Sequence, residues 1–119
     1  LDIPYFSGEY RPYLENTQIF SMDENTFNND AIVLTELQSK VVRLKRHQGS
    51  EQCLAFNFSE FPLLGIWSPP KAPFVCIEPW FGHADFIDHN GRFEDKKGLL
   101  NLASGKTFSC SYEIAIEEN

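Results

Sequence analysis

The sequence lacks most of what would make it a nucleic-acid binder, a membrane protein or a disulfide scaffold. Ten Lys and Arg stand against seventeen Asp and Glu, a formal charge of −7. A phosphate backbone needs a basic field to displace its counterions, so this balance argues against nucleic acid as a partner. No apolar run approaches the roughly 20 residues that cross a bilayer as a helix, and no charged-then-apolar leader opens the chain. No membrane partner is therefore expected. Three widely spaced cysteines, Cys53, Cys76 and Cys110, include no CxxC pair. An odd number inside strand-like segments suits reduced core thiols and a cytoplasmic location better than a disulfide framework or a zinc site. Methionine occurs once, at Met22, while the chain begins at Leu1, so the expectation is a portion of a larger polypeptide.

Helical periodicity is missing too: no run of ten or more residues keeps a 3.6-residue period. Nor is there an internal repeat, a low-complexity tract or a flexible linker. Residues 1–119 therefore read as a single segment with no internal boundary. What is abundant is apolar and aromatic surface, 42% and 14% of residues, with eleven Phe. That is a globular composition in a chain long enough for a sizeable core.

The period that does appear is two. In CLAFNFSEF, Leu54, Phe56 and Phe58 share one face while Cys53, Ala55 and Asn57 share the other. In KTFSCSYEIAIEE, Phe108, Cys110, Tyr112, Ile114 and Ile116 oppose Thr107, Ser109, Ser111, Glu113 and Glu117, the clearest strand pattern in the chain. AIVLTEL reads as a buried strand, and LLGIWSP, FVCIEPW and GLLNL as short strands bounded by Gly or Pro. Asp23 can cap a turn before AIVLTEL, Asn90-Gly91 suits a tight hairpin, and Ser104-Gly105 suits the turn before the last strand. The opening LDIPYFSGEYRPYLENT reads as an irregular wrap of packed aromatics. Together these predict an all-β fold, an antiparallel β-sandwich.

One basic stretch, Lys40 to His47, alternates Val42 and Leu44 against Arg43, Lys45 and His47. It reads as a solvated strand face, with an anion or phosphosugar site as the alternative. The sequon Asn57-Phe58-Ser59 falls within a strand pattern, which disfavours glycosylation.

The residue that points to chemistry is Glu78. In FVCIEPW, Phe74, Cys76 and Glu78 point one way and Val75 and Ile77 the other, so the carboxylate is aimed along an apolar row. Pro79 cannot donate to a ladder and is expected to place Glu78 at the strand's end. A glutamate there must be paired or hydrogen-bonded, and desolvation would tune it toward proton transfer. A solvent-facing or ion-paired structural carboxylate remains the open alternative. Trp67, Trp80 and Phe81 can offer flat apolar faces to the CH side of a sugar, or can simply pack the core.

The segment APFVCIEPWFGHAD, preceded by LLGIWSPP and followed by GLLNLASGKTFSCSYEI, resembles the C-terminal part of aldose 1-epimerase-like proteins, in the galactose mutarotase-related branch. FNNDAIVL is similar to a strand of the same branch, so the resemblance runs from about Thr26 to Glu117. It implies the C-terminal portion of a mutarotase-like supersandwich that interconverts the α and β anomers of an aldose such as galactose or glucose. In that family a glutamate takes the proton of the anomeric hydroxyl while a histidine protonates the ring oxygen, which needs neither metal nor organic cofactor. The position matching the base is Glu78. Asp30 matches a sugar-hydroxyl-binding aspartate, and His83 follows the EPW segment near the mouth of the pocket. Trp67 and Trp80 complete the expected hexose-binding set.

The family's acid histidine and substrate arginine belong to an upstream region, and His47, His83 and His89 do not match the acid. Activity is therefore expected only together with an N-terminal part of the same protein. A non-catalytic carbohydrate-binding or regulatory module is the rival function. The loop with His83, Asp85, Asp88 and His89 has ligand-type residues but no HExxH or calcium-loop spacing, and no metal is expected. Single, scattered glycines offer no phosphate cradle; a phosphorylated hexose would need Arg or Lys at the pocket rim, and the acidic balance supplies no cluster beyond Lys40 to Arg46, so a free hexose is the default expectation.

Overall fold

A computed structural model describes residues 5–46 and 52–118. Its described strands are β1 (Ile32–Thr35), β2 (Val41–Lys45), β3 (Gln52–Asn57), β4 (Leu63–Trp67), β5 (Cys76–Trp80) and β6 (Glu113–Glu118), with one short 3-10 turn at Phe93–Asp95. They form two antiparallel three-stranded sheets, β1-β4-β5 and β2-β3-β6. The chain is all-β, as its period-two pattern predicts.

Alternation decides which side of each sheet meets the other. Leu34, Leu64 and Ile66 of the first sheet and Phe56 of the second join Phe58 and Phe61 in one buried cluster, with Ile32, Val42 and Ile77 packed against it. Phe58 and Phe61 come from the link between β3 and β4. There the Phe61 amide donates to the Phe58 carbonyl at 2.9 Å, and the Phe58 amide donates to the Lys40 carbonyl at 3.0 Å. The chain thus changes sheets through a turn whose two aromatic ends are core residues, which ties the sheets covalently where apolar burial is densest.

The second sheet keeps Val42 and Leu44 in register with Phe56 and Leu54, and these with Ile114 and Ile116. Covering is incomplete: Ile114 and Ile116 of edge strand β6 are 61% and 75% exposed. The Cα radius of gyration, 16.6 Å, exceeds the roughly 13.5 Å expected of a compact chain of this length. On the opposite face, Arg43 reaches diagonally across β3 to Glu117, with Nε to Oε2 at 2.7 Å and Nη2 to Oε1 at 3.2 Å. That two-pronged pair lies over the row of Cys53 and Ala55, both buried. The basic run is accordingly a strand face with its central arginine paired; His47 lies outside the described residues.

Several sequence expectations are corrected. β6 begins at Glu113 rather than near Lys106, because its partner β3 ends at Asn57. Before it, the Ser111 amide and hydroxyl each bond to the Glu60 carboxylate at 2.8 Å instead of to a ladder. GLLNL forms no strand. Asn90-Gly91 has the expected positive φ at Gly91, 75°, but leads into the 3-10 turn rather than joining two strands. Ser104-Gly105 does turn, with the Lys106 amide on the Ala103 carbonyl at 3.1 Å. Asp23 caps a turn as expected, its Oδ1 accepting from the Asn25 amide at 2.9 Å. All three cysteines are free thiols, but only Cys53 is buried; Cys110 is exposed. β5 continues through Pro79 to Trp80 because it is the edge of its sheet, where a missing N–H can face outward.

The hydrogen bond from Arg43 holds the Glu117 carboxyl below its ordinary value of 4.5, with desolvation opposing. A depressed folded-state pKa adds stability above the unfolded value, and that stability is lost as pH falls through the folded one. Glu117→Gln should therefore unfold at lower denaturant than wild type at neutral pH, and the two midpoints should converge as the solution is acidified below the ordinary carboxylate range.

Candidate functional site

The sheet β1-β4-β5 has a second face, turned away from the core. Direct pairing places Val33 opposite Gly65 and Gly65 opposite Glu78. Two residues along, Thr35 opposes Leu63 and Leu63 opposes Trp80; in the other direction, Trp67 opposes Cys76. Paired residues project to the same side and so do residues two apart. Trp67, Glu78 and Trp80 therefore share one face, while Leu34, Leu64, Ile66 and Ile77 occupy the other. The alternation expected for FVCIEPW holds.

The approach to β5 is fixed by the preceding loop. The buried Ser68 hydroxyl donates to the Phe74 carbonyl at 2.7 Å, closing residues 68–74, and the Ala72 amide bonds to the Pro69 carbonyl at 3.1 Å. Those bonds begin β5 at Cys76, opposite Trp67. Glu78 then falls in mid-strand, half-buried, opposite a residue with no side chain. The Trp80 indole Nε1–H donates to Glu78 Oε2 at 3.2 Å. No ion pair among the described residues includes Glu78. Its carboxylate is thus hydrogen-bonded without a cation beside it, the condition in which a glutamate can both accept a proton and stay oriented.

Trp80, the partner of this carboxylate, also lines a cleft of about 370 Å³, together with Asp30, Ala31 and Val33 at β1 and Tyr5 and Phe6 of the opening segment. Its size suits a small molecule, and it offers aromatic faces next to a carboxylate. Glu78, Trp67 and His83 are not among its lining residues. A larger open groove of about 840 Å³ runs along Leu44, Leu54, Phe74 and Ile116. That groove is the uncovered apolar side of the second sheet and holds none of the expected site residues.

Asp30 stands just before β1 with φ of 77°, a left-handed conformation that Asp tolerates better than most residues. Its Oδ1 accepts from the Ala31 amide at 2.7 Å, so the side chain supports the backbone bend that carries it to the cleft. His83 is engaged differently from a ligand contact. Its Nδ1 lies 2.6 Å from the Ala84 carbonyl, so Nδ1 carries the proton, and its ring meets Phe6 and Phe86 edge-on at 5.2 and 4.9 Å. It buttresses the wall of the cleft.

That wall comes from far along the chain. The Phe6 amide donates to the Asp85 carbonyl and the Ile87 amide to the Phe6 carbonyl, both at 2.9 Å. Nothing local in the sequence marks Tyr5 and Phe6 as cleft residues, because this parallel bridge alone brings them there. Two more ligand-type side chains of the loop, Asp85 and His89, have protein partners. Asp85 pairs with Lys96 at 3.2 Å, and His89 stacks near Tyr5 and accepts from the Gly91 amide at 3.1 Å.

The chain is 36% identical over 106 residues to each of two proteins of Lactococcus lactis subsp. lactis, "Protein LacX, plasmid" and "Protein LacX, chromosomal". The match covers 88% of this chain and 35% of each relative; the chain spans about a third of the length of the curated relatives it matches. No family model matches the sequence, and no solved structure matches it. Among the described residues no helix is long and apolar enough to cross a membrane.

Asp30→Ala would force a left-handed Cβ without the side-chain bond, whereas Asp30→Gly removes the same bond and adopts that φ freely. The alanine variant should be less stable than the glycine variant by about 1 kcal/mol, read by chemical denaturation. Equal stabilities would mean that the backbone relaxes away from this conformation.

Proposed function

We propose that the protein takes part in hexose mutarotation, the opening and reclosure of an aldose ring that interconverts its α and β anomers, with Glu78 as the base. The observation that carries this reading is the Glu78 carboxylate: half-buried, free of any described ion pair, and held by the N–H of Trp80, a residue that also lines a cleft with other aromatic rings and Asp30. Glu78 would accept the proton of the anomeric hydroxyl as the ring carbon–oxygen bond breaks. Rotation about the C1–C2 bond would follow, and return of the proton on closure gives the other anomer. The acid that protonates the ring oxygen would come from an upstream part of the same polypeptide, of which this chain would form the C-terminal portion.

Further support comes from the resemblance around CIEPW and from the similarity to the two LacX proteins, whose name is compatible with carbohydrate metabolism. Trp80 would give the sugar's CH face an apolar platform, and Asp30 would accept from its hydroxyls. Trp67 lies on the same sheet face, two residues along from Gly65, where it would extend the platform. His83 would act through Phe6 rather than by touching sugar. A free hexose fits the cleft better than a sugar phosphate: Arg43, the central arginine of the basic run, is paired with Glu117 on the other sheet.

Glu78→Gln keeps the side chain's size and an accepting oxygen while removing the base. In the complete protein it should lower the anomerisation rate by about 10²-fold or more, the usual contribution of a positioned base, with hexose affinity largely retained. Polarimetry of freshly dissolved α-galactose or α-glucose measures the first, and calorimetry the second. A variant that binds sugar and still anomerises at the wild-type rate would remove Glu78 from the mechanism; a wild-type protein that binds hexose without anomerising it would favour a binding module.

A further inference from the structure

We propose that Trp80 is a positioning residue for Glu78 and that Gly65 provides the space that lets it act, so that two residues, one on each of two paired strands, aim one carboxylate. This deepens the reading of Glu78 as a base and rests on it. Gly65 sits in the middle of the central strand β4, where glycine weakens a sheet. Its φ is not in the left-handed region, so the backbone does not require glycine. Space does. A Cβ at position 65 would lie 2.8 Å from Trp80 Cζ2 and 3.0 Å from Cε2, the carbon bonded to the indole nitrogen. The indole therefore lies directly over the Gly65 backbone, and its nitrogen can reach Glu78 Oε2, 3.2 Å away, from that position.

The arrangement follows from the register. Glu78 is the direct partner of Gly65, and Trp80 is two residues along the same edge strand. With no side chain across from it, Glu78 has an open space beside it, and the indole of Trp80 fills that space from one side. A glutamate on an edge strand otherwise samples several rotamers. A hydrogen bond to its charged form selects those in which Oε2 faces the indole, leaving Oε1 to face the sugar. Trp80 would thus act on catalysis through Glu78, in addition to lining the cleft.

Trp80→Phe keeps a flat ring over Gly65 and in the cleft wall but deletes the N–H. In the anomerising protein it should lower kcat about tenfold or more, the loss expected for a hydrogen bond to a charged group, with KM changed by no more than about twofold. Unchanged kcat with raised KM would make Trp80 a binding platform only and would overturn the proposal, as would no change in either. The second readout needs no activity. The Trp80 indole signal in a 15N–1H spectrum is assigned by its loss in Trp80→Phe, and that of Trp67, the other tryptophan of these 119 residues, by its loss in Trp67→Phe. The Trp80 signal should move upfield in Glu78→Gln and be displaced in Gly65→Ala, while the Trp67 signal stays. A Trp80 signal that ignores both substitutions refutes the coupling even if Glu78 proves to be the base. Should Glu78→Gln leave anomerisation intact while the Trp80 signal still moves, the assignment of Glu78 as base fails and the geometric unit stands. If Gly65→Ala does not fold, Trp80→Phe and Glu78→Gln decide alone.

Discussion

β4 is the strand of its sheet that pairs on both sides, and its register determines what the rest of the sheet does. Leu64 and Ile66 point into the core, so Leu63, Gly65 and Trp67 must point out, and the partners of those three are carried to the same side. Glu78 reaches the outer face because Ile77 is needed on the inner one. A slip of a single residue would bury the glutamate against Leu64 and expose Ile77, at the cost of both a desolvated carboxylate and lost apolar burial. The apolar packing that stabilises the fold is thus also what orients the candidate base.

The two sheets use their outward faces differently. On β2-β3-β6, Arg43 and Glu117 neutralise each other over a buried cysteine and alanine, a structural pairing. On β1-β4-β5, the outward carboxylate has an indole N–H for company and no cation among the described residues, with aromatic rings nearby. A cation at 3 Å would hold the glutamate ionised and bound, a poor arrangement for a group that must take up and release a proton. A single neutral donor orients it while leaving an oxygen free. The cleft wall then depends on a segment with little regular structure, Tyr5 and Phe6, clamped to residues 85–87 by two backbone hydrogen bonds and buttressed by His83.

Much of this was legible in the sequence wherever the pattern is period two and the strand has a partner along its length. β2, β3 and the faces of β5 follow their alternation, and β1 and β4 fall in the apolar runs AIVLTEL and LLGIWSP. The strands that are expected and absent share a cause: a strand pattern does not make a strand when there is nothing to pair with. Residues 106–112 alternate as clearly as those after them, yet β3 stops at Asn57 and Glu60 takes the Ser111 amide. Pro79 reads locally as a terminator, and its place within an edge strand depends on long-range order. In the candidate site, Glu78, Trp67 and Trp80 could be assigned to one face from spacing, given the register. Tyr5 and Phe6 could not, since they arrive through a bridge between distant segments. Gly65 left a signal that was available, a glycine inside an apolar strand, which marks close approach by another group.

The central claim is that Glu78, on the outward face of β5, meets the reacting end of a hexose. A crystal structure of the protein with galactose or glucose bound tests it most directly. The account predicts the sugar's apolar face against Trp80, and its anomeric hydroxyl oxygen within hydrogen-bond reach, about 3 Å, of the Glu78 carboxylate. A sugar seated in the open groove along Leu54 and Ile116, or one bound at the cleft with its anomeric carbon turned away from Glu78, would contradict it.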